Sequence, residues 1–124
     1  VSTMRAKMVS ANSQSTEQWY DLKIDTGGIV DIEFLAQYWV LACAATRPEL
    51  LDPRGTTDIL EALANSGVIS RQDADSLIAA YRVYLRRSLT LKLQDRPVLA
   101  EQYELRDERA RVTRIWDDVF GSVH

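Results

Sequence analysis

The sequence predicts an all-α fold, a bundle of about five helices around a nearly all-apolar central helix. Apolar residues recur at three- and four-residue steps along much of the chain, as they do on one face of a helix. Glycines and prolines separate these segments from one another. Only WYDLKI, at residues 19–24, alternates like a strand, and one short strand cannot form a sheet by itself. No paired strands are therefore expected.

The central helix is predicted within residues 25–45, DTGGIVDIEFLAQYWVLACAA. Two glycines break the chain before it, and Asp31 and Glu33 fall in its first turns, where carboxylates suit the positive end of the helix dipole. From Phe34 onward the segment is apolar nearly all round, so we expect it to be buried on most sides. It is too short to cross a bilayer, which needs about 20 apolar residues. Pro48 predicts that the helix ends near residue 46.

Three later helices carry their own start or stop signals. Thr57 is the predicted N-cap of a short helix that Gly67 closes. Ser70 opens a long helix that runs to about Gln94, and Gly121 ends the last helix. The positions predicted to face the core are Leu77, Ile78, Tyr81, Tyr84, Leu85, Ser88 and Leu91 on the long helix, and Val112, Ile115, Trp116, Val119 and Phe120 on the last.

The segment MRAKM, at residues 4–8, is typical of the end of a helix that begins upstream, which would be the fifth helix. The chain also begins with Val1 rather than methionine. A length of 124 residues corresponds to one domain. We therefore expect residues 1–124 to form a single helical domain excised from a larger multidomain protein.

Composition excludes several classes of function. The net charge of −3 and pI near 5.1 give no general reason to bind nucleic acid or an anionic membrane, so neither is a predicted partner. Cys43 is the single cysteine, which excludes a disulfide within the chain and a cysteine metal site. His124 is the single histidine and is the last residue, so no histidine base is expected. The chain has no features of an exported protein, and a cytoplasmic location is predicted.

The motif TGGIVDIEF admits two interpretations. Two glycines at a helix start can bring backbone N–H groups close to a phosphate. Alternatively, they form a tight turn before a helix with a charged first turn. No Gly-Lys-Ser/Thr follows, so the motif is not a P-loop. Asp31 and Glu33 lie about 200° apart around a helix and cannot hold one metal ion together. One of them is expected to face the core and to pair with a cation such as Lys23 or Arg5.

The longer segment DLKIDTGGIVDIEFLAQYWVL, at residues 21–41, resembles the region that follows the nucleotidyltransferase domain in bacterial glutamine synthetase adenylyltransferases. These are bifunctional adenylyltransferase and adenylyl-removing enzymes. The segments ILEALANSGVIS, AYRVYLRR and RVTRIWDDVF resemble later helices of the same family, so the likeness covers nearly the whole chain. The wording of the Gly-Gly motif is closest to the second, C-terminal helical domain, which belongs to the adenylylating half.

This resemblance implies an accessory domain that has no catalytic residues or metal ligands of its own. The family's metal-binding carboxylates lie on a Gly-Ser…Asp-x-Asp element of the preceding domain, and this chain has no such element. ATP and Mg²⁺ would be cofactors of the parent enzyme, and none is expected to bind this chain alone. The implied partners are the preceding nucleotidyltransferase domain in cis, glutamine synthetase and the PII signal protein.

Two groups of residues are candidates for contacts. Those placed nearest a shared nucleotide cleft, with packing between domains as the equal alternative, are Lys23, Gly27, Gly28, Asp31 and Glu33. Arg82 and Arg86, one turn apart, indicate either an ordinary exposed helix face or docking to an acidic partner. The alternative function is a stand-alone helical interaction module without enzymatic activity. An independent hydrolase or transferase finds no nucleophile motif or ligand cluster to support it.

Overall fold

The computed structural model describes residues 18–43, 46 and 55–121, and all structural statements here refer to them. In chain order the elements are β1 (Trp19–Asp21), α1 (Ile29–Cys43), α2 (Thr56–Asn65), α3 (Arg71–Leu93), β2 (Leu99–Glu101) and α4 (Arg106–Phe120). The predicted helical fold is confirmed for this part of the chain, with four helices. The expected helix at residues 4–8 lies outside the described residues.

The prediction that no strands pair is wrong, because β1 and β2 form a two-stranded antiparallel sheet. Tyr20 lies opposite Ala100 in the register, and both side chains are buried. The pairing continues beyond the strands, where the backbone N–H of Gln102 donates to the carbonyl of Gln18 at 2.8 Å. Strand β2 is only three residues long, which is too short for an alternating pattern to predict it from the sequence.

The core lies among the helices, with α3 packing against α1, α2 and α4. Its buried side chains include Leu22, Ile32, Leu35, Leu60, Leu63, Leu77, Tyr84, Val112, Ile115 and Trp116. The expectation that α1 is buried on most sides is not confirmed. Phe34, Tyr38 and Leu41 are all exposed, because the described neighbours cover only part of its circumference. An apolar sequence alone does not show which sides of a helix have neighbours.

Most helix boundaries follow their predicted signals. Ser70 is the N-cap of α3, and its hydroxyl accepts a hydrogen bond from the Asp73 N–H at 3.0 Å. Gly67 follows α2 with a positive φ of 78°, which suits glycine at a helix end. The start of α2 is corrected by two residues, since its N-cap is Gly55 and not Thr57.

The predicted core positions of α3 and α4 are largely confirmed. All seven positions predicted on α3 are buried except Leu85, which is 43% exposed. On α4 the three residues Val112, Ile115 and Trp116 are buried, while the last two of the predicted stripe are half-buried. Leu85 is at helical spacing from the core residues but lies on the edge of the stripe, and no described element covers it.

Candidate functional site

Three buried aspartates organise the segment between β1 and α1, which we call the Gly-Gly turn (residues 21–31). One carboxylate oxygen of Asp21 accepts hydrogen bonds from the N–H groups two and three residues later, at 3.0 and 3.2 Å. Asp25 accepts from the N–H of Asp21 at 3.0 Å, and Asp31 accepts from the N–H of Gly27 at 2.7 Å. Asp31 is only 1% exposed. Each carboxylate thus stabilises the turn by satisfying backbone donors.

The two glycines are required by close backbone approaches. Gly27 has a φ of 82°, and a Cβ there would lie 2.9 Å from the Arg109 carbonyl oxygen and from the Thr113 hydroxyl. A Cβ on Gly28 would lie 2.5 Å from the carbonyl oxygen of Leu22. The turn therefore packs directly on α4, and any larger residue would force the backbone to move.

The backbone N–H groups at the start of α1 are engaged within the turn. Gly28, Ile29 and Val30 each donate to a carbonyl oxygen of the preceding loop at 2.9 Å. Gly27 donates to Asp31, so four successive donors are satisfied. A phosphate at this helix start would have to displace these bonds. Of the two interpretations of the motif, this geometry favours the tight turn.

Asp31 and Glu33 have different surroundings. Asp31 faces the core, as expected for one of the pair, whereas Glu33 is half-buried and accepts a hydrogen bond from the Tyr81 hydroxyl at 2.9 Å. Lys23 is exposed. The alternative partner Arg5 lies outside the described residues. The structure thus brings Gly27, Gly28 and Asp31 together in one turn, connects Glu33 to α3, and leaves Lys23 open to solvent.

Arg109 joins the sheet to α4, a role that the sequence did not indicate. Its guanidinium lies 3.8 Å from the centre of the Tyr20 ring and donates to the carbonyl and side-chain oxygens of Gln102 at 2.6 and 3.2 Å. The Tyr20 hydroxyl in turn donates to the carbonyl of Thr26 at 2.7 Å, and burial raises the pKa of Tyr20. Only the structure shows that β1 and β2 bring these partners near it.

An open groove of about 620 Å³ lies beside the Gly-Gly turn. Its lining comprises Thr26, Gln102, Arg106, Arg109, Ala110, Thr113, Arg114, Asp117 and Asp118. Arg114 pairs with Asp118 at 2.8 Å and with Asp73 of α3 at 2.9 Å. The charge of Arg114, one of the three arginines that line the groove, is therefore matched by carboxylates.

Comparison with known proteins places this geometry in context. The family model described as GlnD PII-uridylyltransferase matches residues 2–120. The chain belongs to this family. Among its relatives, a protein of Nitrosococcus oceani is 40% identical over 91% of the chain. Proteins of Thioalkalivibrio sulfidiphilus and Burkholderia mallei are 40% and 38% identical over 94% and 96% of it.

All three relatives bear the name bifunctional glutamine synthetase adenylyltransferase/adenylyl-removing enzyme. The resemblance predicted from the Gly-Gly motif is thereby confirmed. The chain spans only 12–13% of the length of these relatives. The family model is described as a uridylyltransferase, whereas the relatives are named adenylyltransferases. The name of the relatives agrees with the resemblance predicted from the sequence.

Within residues 18–43 and 55–121, no three or more His, Cys, Asp and Glu side chains are placed to hold a metal ion. No helix in the same part of the chain has the length and apolarity needed to span a membrane. The cytoplasmic location stays a prediction.

Arg82 and Arg86 lie exposed on α3, as their spacing predicted. No hydrogen bond or ion pair from the described carboxylates reaches either guanidinium. Their neighbour Arg87 differs, because it pairs with Glu104 at 2.6 Å. The two exposed arginines are thus available for contacts outside the described part of the chain.

Proposed function

We propose that the chain is the helical accessory domain of a glutamine synthetase adenylyltransferase. It would support ATP- and Mg²⁺-dependent transfer of AMP to a tyrosine of glutamine synthetase, with the catalytic carboxylates outside this chain. The observation that carries the proposal is the identity of about 40% over more than nine-tenths of the chain to enzymes of that name. The preceding nucleotidyltransferase domain would be its partner in cis, and PII would act through the parent enzyme.

The proposed role is mechanical support of the catalytic domain. The Gly-Gly turn has its backbone donors and its three aspartates engaged internally, so it is suited to holding a fixed shape. Gly27, Gly28 and Asp31 would act by maintaining that shape. Lys23, which is exposed, and the half-buried Glu33 are the two members of the set that could contact the cleft or the neighbouring domain. Positioning of this kind lowers a reaction barrier by fixing the reactants in a productive geometry.

Within the part of the chain that the structure describes, the carboxylates do not fit a magnesium site. Mg²⁺ prefers near-octahedral oxygen coordination by one or two carboxylates together with waters and phosphates. Asp21, Asp25 and Asp31 are buried, and each already accepts hydrogen bonds from backbone N–H groups. We therefore assign no chemical step to a metal held here, and we place Mg²⁺ and ATP with the remainder of the parent enzyme.

The proposal can be tested in the full-length parent by measuring AMP transfer to glutamine synthetase. Lys23→Ala and Glu33→Ala should lower the rate roughly tenfold if they position the cleft. Arg111→Ala, an exposed position on α4, is the matched control and should leave the rate unchanged. Thermal unfolding of each variant separates a positioning effect from loss of the fold. Unchanged transfer by both test variants would refute the cleft assignment.

A second measurement tests the absence of catalysis in the chain itself. The 124-residue chain is incubated with glutamine synthetase, Mg²⁺ and ATP that carries a labelled α-phosphate. We expect no label in glutamine synthetase above a blank without the chain. Full-length parent enzyme serves as the positive control. Incorporation by the chain alone would contradict the accessory role while leaving membership of the family intact.

A further inference from the structure

The second half of α3 exposes three leucines along one face. Leu85, Leu89 and Leu93 are 43%, 59% and 79% exposed and follow one another at four-residue steps. At about 100° per residue, each step turns about 40° around the helix, so the three side chains share one face. Large apolar side chains grouped on a surface indicate contact with another molecule.

Cations interleave with these leucines. Arg82, Arg86 and Lys92 are exposed, and helical geometry places them with the leucines inside a strip about 120° wide. We call these six residues the α3 strip. The helix contains no acidic residue after Asp75, although the chain as a whole carries a net charge of −3. Among the described residues no carboxylate pairs with any of the three cations.

We propose that the α3 strip docks an acidic amphipathic helix of a partner protein. The partner's apolar side chains would pack against the three leucines, and its carboxylates would pair with Arg82 and Arg86. Helices recognised in this way present apolar anchors at three-, four- and seven-residue steps. The positive strip selects an acidic partner over a basic one by charge complementarity. This inference goes beyond the proposed function and does not depend on it.

The structure argues against a lipid or nucleic acid in the same place. A helix that binds a membrane surface has a basic, polar face opposite its apolar face. On α3 the cations and the leucines instead share one strip, and the opposite side is buried against the other helices. The chain's negative net charge also opposes anionic lipids. Phosphate binding draws on clustered cations, whereas here leucines with large exposed fractions lie between them.

The test uses the ¹⁵N-labelled 124-residue chain and synthetic helical peptides. Two acidic peptides carry glutamates and differ in leucine spacing, one with four-residue steps and one with alternating three- and four-residue steps. Two control peptides have the same two leucine spacings but carry lysines in place of the glutamates. We expect at least one acidic peptide to bind and to shift the amide resonances of residues 82–93, and we expect neither lysine peptide to do so.

Variants make the expectation specific. The double substitution Arg82→Glu and Arg86→Glu should lower the affinity for the acidic peptide at least about tenfold. It should also allow a lysine peptide to bind. Leu89→Ser should lower the affinity for the acidic peptide by about the same factor. Leu41→Ser is the matched control, because Leu41 is 75% exposed but lies on α1, and it should change the affinity less than about twofold. Circular dichroism checks that each variant keeps its helical content.

Several results would overturn the inference. These are no binding of either acidic peptide, equal binding of the lysine peptides, or a loss on Leu41→Ser as large as on Leu89→Ser. Vesicles containing phosphatidylglycerol and a single-stranded RNA are tested in parallel. If either binds through the α3 strip and the acidic peptides do not, the partner is a lipid surface or a nucleic acid and the proposal is wrong.

Discussion

The hydroxyl of Tyr81 donates a hydrogen bond to the carboxylate of Glu33 across 2.9 Å, joining α3 to the first half of α1. The two residues are 48 positions apart in the sequence. Burial raises the pKa of Tyr81, and the bond to Glu33 raises it further. Glu33, a candidate for contact with a cleft, thus also has a structural partner. Loss of this residue would affect both the fold and any contact beyond it.

A double-mutant cycle measures this link. Tyr81→Phe and Glu33→Ala should each lower the free energy of unfolding by about 1 kcal/mol. If the residues interact directly, the free energy of unfolding falls less in the double variant than the sum of the two single losses. The difference, the coupling energy, should be about 0.5–1.5 kcal/mol. Urea titration of the four proteins gives the values. Additive losses would show that the hydrogen bond contributes nothing to stability.

Substitution of Gly27 tests the contact between the Gly-Gly turn and α4. Gly67→Ala is the matched control, because Gly67 also has a positive φ but its added Cβ would meet no atom within 4 Å. The control should lose about 1 kcal/mol from backbone strain alone. Gly27→Ala should lose about 2–4 kcal/mol, since its Cβ also meets Arg109 and Thr113 at 2.9 Å. Equal losses in chemical denaturation would mean that the turn does not pack on α4.

Removal of the Asp31 carboxylate should leave the Gly27 N–H without its acceptor in a buried site. Asp31→Ala is expected to lower the free energy of unfolding by about 2 kcal/mol or more. Asp58→Ala is the comparison, since Asp58 is an exposed acid in the first turn of α2 and should contribute about 0.5 kcal/mol through the helix dipole. A loss at position 31 no larger than at position 58 would contradict the proposed support of the turn.

The ion pair between Arg87 and Glu104 should make the stability of the fold depend on pH. The hydrogen bond from Arg87 lowers the pKa of Glu104 below its ordinary value. The pair therefore contributes its full stabilisation of the fold above the ordinary pKa of a glutamate, about 4.3. This contribution is lost as the pH falls through the lower pKa that Glu104 has in the folded state. Arg87→Ala should lower the free energy of unfolding by about 0.5 kcal/mol at pH 7. The difference from wild type should vanish under strongly acidic conditions.

Denaturant titrations at several pH values check this expectation. Arg86→Ala is the control, because Arg86 is the adjacent arginine and is exposed without an ion pair among the described residues. It should change stability by less than about 0.5 kcal/mol at every pH. A difference between Arg87→Ala and wild type that persists at the lowest pH would show that the arginine acts through packing rather than through Glu104.

The helices and their ends were accessible from the sequence because local rules govern them. The Ser70 cap, the glycine after α2 and the apolar stripe of α4 all depend on residues within a few positions of one another. The β1–β2 pairing was not accessible, since it joins short segments far apart in the chain and has little pattern of its own. Exposure of Leu85 and of one side of α1 likewise depends on which elements lie beside them.

The candidate site shows the same division. The importance of the two glycines and Asp31 was readable from the motif, but the reason for it was not. Gly27 is required because the backbone of α4, some 80 positions later, packs directly against it. The residues around Gly27 do not predict that contact. The role of Arg109 was not readable at all, because its partners Tyr20 and Gln102 are brought to it by the fold.

The pairing of Tyr20 with Ala100 also determines how the polypeptide can be shortened for laboratory work. A truncation that begins at the first residue of α1 would look natural, yet it would remove β1 and uncover Ala100. It would also deprive the Arg109 guanidinium of the aromatic ring beneath it. A minimal soluble version must therefore start upstream of Trp19, and removal of the few residues before the first helix would weaken the attachment of the last one.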